Sequence, residues 1–376
     1  MRKESSLPTH HAFRFLAPIL RLAAAVLIAL VLVAGLSAAA GAPPARAVQS
    51  LLAEAFGSPF AWTGTLLHAV PILLTGLAVA WAFRAGLFNI GAEGQLLWGA
   101  LAAAWVGVAV KLPPPLHLPL ALAAGALAGA LWAWPAALLK ARRGTPEVLT
   151  TLLLSFVAVH LTTWVANGPL HAPDQQGART AAAAATAQLP LLLPGTRLHA
   201  GLILALLAAA LLALVLARAR FGFQLRVVGR NPEAARASDI SVERTWSRVL
   251  LQSGALAGLA GAVEVLGVHH YFQAGFSPGY GYEGIAVAIL GAGSPAGVVL
   301  AALFLGGLAN GVVGMAVDLN LSSEVGRSMA GVVQAIVVLA VAIRRWPVLK
   351  RPRAGGVPAS GPGAHSGMTP PACGPG

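Results

Sequence analysis

Three side chains in the stretch GLFNIGAEGQ (residues 86–95) could do chemistry: Asn89, Glu93 and Gln95. Two amides and a carboxylate within seven residues can bind a polar solute by hydrogen bonds. Apolar segments flank them on both sides, so the stretch lies at apparent membrane depth. Strongly polar groups there cost several kcal/mol unless they are paired or wet. Glycines at 86, 91 and 94 permit irregular backbone, and lipid-exposed irregular backbone is not viable. The stretch therefore faces protein or a water-filled cavity. It lines a translocation pathway, or it joins helices through small residues and amides.

A second polar stretch, GYGYEGIAVAILGAGSPAG (279–297), carries Tyr280, Tyr282 and Glu283. These residues suit the outer end of a pathway. The tyrosines also fit an interfacial aromatic belt, and Glu283 fits a helix cap. Glu264 sits alone in an apolar run, where it lines a cavity or pairs near the outer interface. His269 and His270 are adjacent and diverge by about 100° on a helix, which argues against a shared metal. His68, His160, Thr150, Thr151, Asn310 and Asp318 read first as interhelical or interfacial groups. SGALAGLAG (253–261) puts small residues at 254, 258 and 261, which suits close helix packing.

The elements that must position these groups follow from composition. The chain has 376 residues, 57% hydrophobic and 10% charged, against roughly 25% charged in a soluble domain. Apolar runs near bilayer length occur at 16–38, 62–83, 87–110, 118–139, 147–167, 199–217, 249–268, 283–292, 296–317 and 328–343. Basic clusters at 140–143, 218–248 and 344–353 mark cytoplasmic loops. The expected fold is an all-α polytopic membrane protein of about ten transmembrane segments with both termini cytoplasmic. The run 283–292 is short for a span. Eight crossings plus a re-entrant hairpin give the same sidedness.

Residues 1–15 read as a cytoplasmic N-terminal segment and 16–345 as the transmembrane domain. Residues 346–376 read as a Gly/Pro-rich disordered tail. LSAAAGA after the first apolar run resembles a signal-peptide end, but that run is long enough to stay as a helix. The two Gly-rich stretches, one in each half, hint at a duplicated architecture with interrupted helices. The net charge of +13 is topogenic, and no basic soluble domain suggests nucleic-acid binding. The single cysteine, Cys373, allows no internal disulfide. None of the four lysines follows a glycine, so there is no GxxxxGK[ST] phosphate loop. An HExxH motif is absent too. These features argue against an enzyme and call for no cofactor.

The cytoplasmic segment 218–248 is the longest by charge. Within it Gly229-Arg230-Asn231-Pro232 is turn chemistry. A short helix should follow, with Asn231 as N-cap, Pro232 first and Glu233 in the first turn. Such an element docks a partner, or it is a plain basic loop with a surface helix.

GLFNIGAEGQ, GTPEVLTTLLLSF (144–156), GRNPEAARASDI (229–240) and GYGYEGIAVAILGAGSPAGVV (279–299) together resemble one family. They are similar to the permease subunits of bacterial ABC importers for nucleosides and simple sugars, within the branched-chain amino acid/ribose permease superfamily. The resemblance spans about residues 15–345, and GLFNIGAEG matches the nucleoside-type branch. It implies a multi-pass permease of the bacterial inner membrane with a partner ABC ATPase. A second, related permease and an extracytoplasmic substrate-binding lipoprotein are implied as well. It makes Gly229, Asn231, Glu233, Ala234 and Ala235 the element that docks on the ATPase. The family often has Gly before the Ile of this motif, where this chain has Asp239. Asn89, Glu93, Gln95, Glu264, Tyr280 and Glu283 become substrate-pathway candidates, with Tyr280 able to stack a nucleobase. The alternatives are a sugar permease and a self-sufficient secondary transporter coupled through Glu93 or Glu264.

Overall fold

A computed structural model describes residues 9–174 and 176–343. The expectations for the C-terminal tail, Cys373 and the last basic cluster lie outside the described residues, as does the start of the N-terminal segment.

The described chain is helical, with isolated β-bridges in place of any sheet. In order the helices are α1 (Thr9–Ala39), α2 (Pro44–Phe56), α3 (Pro59–Arg84), α4 (Ala92–Ala109), α5 (Pro114–Arg143), α6 (Glu147–Asn167) and α7 (Gly201–Arg218). They continue with α8 (Arg220–Arg230), α9 (Pro232–Ala237), α10 (Val242–Glu264), α11 (Tyr280–Leu290), α12 (Pro295–Asp318) and α13 (Ser323–Ile343). A π-helical turn, Val265–His269, extends α10. Six of these helices are long and apolar enough to cross a membrane: α3, α5, α6, α7, α12, and α10 with its π-turn.

Local chemistry sets several boundaries. Ser58 accepts from the Ala61 N–H at 3.0 Å and Pro59 opens α3, a polar cap followed by proline at the first helical position. Ser294 and Pro295 start α12 in the same way, with a 3.1 Å bond from the Gly297 N–H. Gly144, with φ of 64°, stops α5 in the left-handed region.

Of the six spans, α3 and α10 are the most buried, and α4 is buried to a similar degree beside them. Helix α10 packs most extensively on α5 and α4, and α3 on α12 and α11. The seam of α10 with α4 and α5 is built from glycine. A Cβ at Gly258 would overlap the Gly125 carbonyl oxygen, and one at Gly261 would overlap that of Leu96. This is the close packing read from SGALAGLAG, with Gly99, Gly125 and Gly129 as the facing half. Helices α5, α6 and α7 leave most of their apolar surface uncovered, which suits lipid rather than water as their outer neighbour.

Three elements differ from the sequence expectation. The stretch between the apolar runs 16–38 and 62–83 contains α2. The run expected at 87–110 is helical only from Ala92. The run at 283–292 is an 11-residue helix starting at Tyr280, roughly 16 Å long at 1.5 Å per residue.

Candidate functional site

The segment 85–91 breaks the chain between α3 and α4, and Gly86 turns it with φ of 72°. Its exposed N–H groups need acceptors. Helix α6 supplies them at every fourth position. The Phe88 N–H donates to Glu147 Oε1 at 3.1 Å, the Ile90 N–H to Thr151 Oγ1 at 3.2 Å, and the Gly94 N–H to Ser155 Oγ at 3.3 Å. Residues spaced by four share one helix face, so 147, 151 and 155 form a ladder. Lys140 Nζ lies 2.7 Å from Glu147 Oε2 and balances its charge. The sequence reading took Thr151 of this ladder as an interhelical or interfacial group and gave Glu147 and Ser155 no role. Its signal was a polar residue at every fourth position of an otherwise apolar helix.

Asn89 and Gln95 face each other. Asn89 Nδ2 donates to Gln95 Oε1 and to Ser253 Oγ, both at 2.8 Å. Gln95 Nε2 donates to Asn89 Oδ1 at 3.1 Å, and that oxygen also takes the Gly91 N–H at 3.1 Å. Ser253 Oγ donates in turn to the Ala78 carbonyl at 2.7 Å. Asn89 is 0% and Gln95 2% exposed. The network ties α3, α4 and α10 together.

Glu93 points elsewhere. Its Oε2 accepts from the Gly281 N–H at 2.7 Å, in the first turn of α11. Gly281 is pressed so closely on the Glu93 backbone that a Cβ would overlap it. The N-termini of α4 and α11 therefore meet at this carboxylate, and helix N-termini favour negative charge. Ser277 Oγ caps α11 by accepting the Gly279 and Tyr280 N–H groups, each at 3.2 Å. Thr75 Oγ1 donates to the Tyr280 carbonyl at 2.8 Å.

The Tyr280 phenol lies within electrostatic reach of Glu264, Glu283 and Glu93. Tyr280 and Glu283 are half-buried and Tyr282 is exposed. Glu264 is buried, with His269 Nε2 at 3.6 Å from its Oε1. Four of the six sequence-derived pathway residues thus share one region, and Asn89 and Gln95 lie apart in their own network. Asn310 joins helices as read, donating to the Glu54 carbonyl at 2.8 Å.

On the basic loop, Asn231 Oδ1 accepts from the Glu233 N–H at 2.9 Å and the Ala234 N–H at 3.1 Å, and Pro232 opens α9. Glu233 and Ala234 are exposed. Ala235 is buried with Val228, Ile240 and Val242. Asp239 has φ of 56°, in the left-handed region that glycine adopts without strain and Asp tolerates better than most residues. Gly229 sits against the backbone of Arg84, where a Cβ would overlap the Arg84 carbonyl oxygen.

A multi-pass helical membrane protein with two broken inner segments and a capped, exposed helix on a basic loop belongs to the class of transport proteins built on interrupted helices. The chain is a member of the family described as branched-chain amino acid transport system / permease component, which matches residues 61–342. It is 41% identical over 337 residues to a guanosine ABC transporter permease protein of Bacillus subtilis, covering 89% of this chain and 93% of that one. A glucose ABC transporter permease protein of Haloferax volcanii is 40% identical over 79% of this chain and 80% of its own length. A nucleoside ABC transporter permease protein of Lactococcus lactis is 31% identical over 85% and 89% respectively. No solved structure matches the chain.

Proposed function

We propose that this chain is the membrane-spanning, non-catalytic subunit of an ATP-driven ABC importer for nucleosides. The observation that carries the reading is the similarity to a guanosine permease over 93% of that protein's length. Substrate crosses by alternating access, and ATP binding in partner subunits biases the two states. The partners are an ABC ATPase, a second permease related to this one, and an extracytoplasmic binding protein that selects the substrate first. Glu93, Glu264, Tyr280 and Glu283 line the pathway, where carboxylates can bind ribose hydroxyls and the tyrosine can stack a base. Asn89 and Gln95 stand behind them and hold the broken segment to the start of α4, which carries Glu93. Gly229, Asn231, Glu233, Ala234 and Ala235 form the ATPase-docking element.

Ten crossings with both termini cytoplasmic fit this reading, α11 and its flanks serving as one of them. The domain limits stay at 16–345 for the permease, with 1–15 and 346–376 as flanking segments.

The glucose permease of Haloferax volcanii, nearly as similar, favours a sugar as the second reading. Uptake separates the two. Cells carrying the chain and its native partners should accumulate radiolabelled guanosine, and excess uridine or adenosine should compete better than glucose. Competition by glucose alone would replace the nucleoside reading with the sugar reading.

A further inference from the structure

Helix α11 is held at both ends by the flanks of one broken segment. At its start, Glu93 of α4 accepts the Gly281 N–H at 2.7 Å. Beyond its end, Arg84, the last residue of α3, donates from Nε to the Gly293 carbonyl at 2.8 Å. Gly293 lies in the α11–α12 turn, with φ of 64°. The same Arg84 meets the basic loop through its backbone: Gly229 is packed on the Arg84 carbonyl, and a Cβ built on Gly86 would stand 3.5 Å from the Gly229 carbonyl oxygen. Gly229 lies in the last turn of α8, one helix ahead of the exposed α9. The buried face of α8 is apolar and sits on the end of α3, with Leu225 clustered against Trp81, Ala82 and Ala85.

One residue thus touches the basic loop with its main chain and the α11–α12 turn with its side chain. Both contacts are short-range and directional. A shift of α8 cannot be absorbed at Gly229, where no space separates the two backbones. It must move the end of α3, and with it the guanidinium that holds Gly293. Neither the composition of the α11–α12 turn nor that of the basic loop requires an arginine at this point. The Gly293 carbonyl, 2.8 Å from Arg84 Nε, gives the side chain its use.

We propose that Arg84 is the positioning residue that carries movement of the α8–α9 docking loop to α11. This deepens the permease reading and rests on its assignment of α9 as the docking element. Arg84 meets no solute in this role. It acts through Gly293, and Glu93 at the opposite end of α11 makes the helix move as a unit.

Two reporter cysteines in a Cys373→Ser background test it, in membranes that contain the chain with its native partners. Ala237→Cys is the α9 reporter. Ala292→Cys, exposed beside Gly293, is the turn reporter at the end of α11. The rate of N-ethylmaleimide labelling is measured without nucleotide and with ATP plus vanadate. With Arg84 intact, both reporters should respond. With Arg84→Ala, the α9 reporter should keep its response while that of the turn reporter shrinks about fivefold or more, the scale of ordinary site-to-site coupling. Guanosine uptake should fall in parallel. A purely structural role would weaken both reporters together, and an unchanged response of the turn reporter would overturn the proposal. Should Arg84→Ala fail to insert, Arg84→Lys is read in the same way, because it keeps the charge but lacks a donor at the Nε position. Gly229→Ala, which displaces the Arg84 backbone, should also silence the turn reporter. Absence of any nucleotide response at the α9 reporter in the parent protein would instead refute the docking assignment of α9.

Discussion

A carboxylate inside a membrane protein needs a reason to be there. At the bilayer centre it costs about 3 kcal/mol on insertion scales, and interhelical hydrogen bonds return only about 0.6 kcal/mol each. Glu93 is given two helix N-termini and the Gly281 N–H, which offset part of that cost. The amides are a different case, because their bonds close on each other and on Ser253. The two sites should therefore fail differently. Glu93→Gln keeps an oxygen to accept the Gly281 N–H, so assembly should persist while guanosine uptake drops tenfold or more, as the loss of a charged contact of about 1.5–3 kcal/mol implies. Asn89→Ala leaves the Gln95 amide and the Gly91 N–H buried without these partners, at about 1–3 kcal/mol each, so thermal stability in detergent should fall first. Fluorescence-detected size exclusion after heating, run beside uptake assays, reads both. If Glu93→Gln loses stability in step with uptake, Glu93 is a structural residue. The types of these side chains were legible in the sequence, but their partners were not. Ser253 lies 164 positions from Asn89, and Gly281 lies 188 from Glu93; no local pattern encodes such pairings.

At the scale of elements, long apolar runs mark their own helices, and the sequence boundaries of α6 and α12 needed little change. What escaped was short or irregular. Helix α2 buries Ala47, Ser50, Leu51 and Ala55, a spacing of three, one and four that is helical. At 13 residues, however, it is too short to span and so reads as loop. The π-turn after Glu264 has no sequence signature of its own. The glycine seam was half legible, since SGALAGLAG announces close packing without naming its partners. Gly258 on α10 lies between α4 and α5, so Gly258→Ala forces backbones apart. Overpacking of this kind costs about 1–3 kcal/mol and should lower the thermal midpoint of the purified chain. Gly331→Ala is the matched control, because a Cβ there meets nothing within 4 Å. In a helix interior that change should be neutral or stabilising, by up to about 1 kcal/mol. Equal behaviour of the two variants would mean that the α10 seam tolerates expansion.

For the whole molecule the question is which loops share a side. The positive-inside rule predicts that 140–143 and 218–248 are cytoplasmic, and the geometry adds constraints that charge does not contain. Arg84 bonds to Gly293 through its side chain and abuts Gly229 through its backbone, so the ends of α3, α8 and the α11–α12 turn lie at one level. Lys140 and Glu147 join this level, because Glu147 holds Phe88, four residues beyond Arg84. If the basic loop is cytoplasmic, all of these are. The opposite face then holds the 168–200 connection, which is bonded to the end of the π-turn region by the Ala183 N–H to the His270 carbonyl at 2.7 Å. From α6 to α7 the chain must cross twice, since 143 and 220 lie on the same side. The expectation is direct. Single cysteines at Arg230 and Gln176, both exposed, are introduced into a Cys373→Ser chain and treated with a membrane-impermeant maleimide. In intact cells Gln176→Cys should label and Arg230→Cys should not, until the membrane is permeabilised. Labelling at 230 in intact cells with protection at 176 would invert the molecule, and the docking role of α9 would fall with it, because an ATPase could not reach that face.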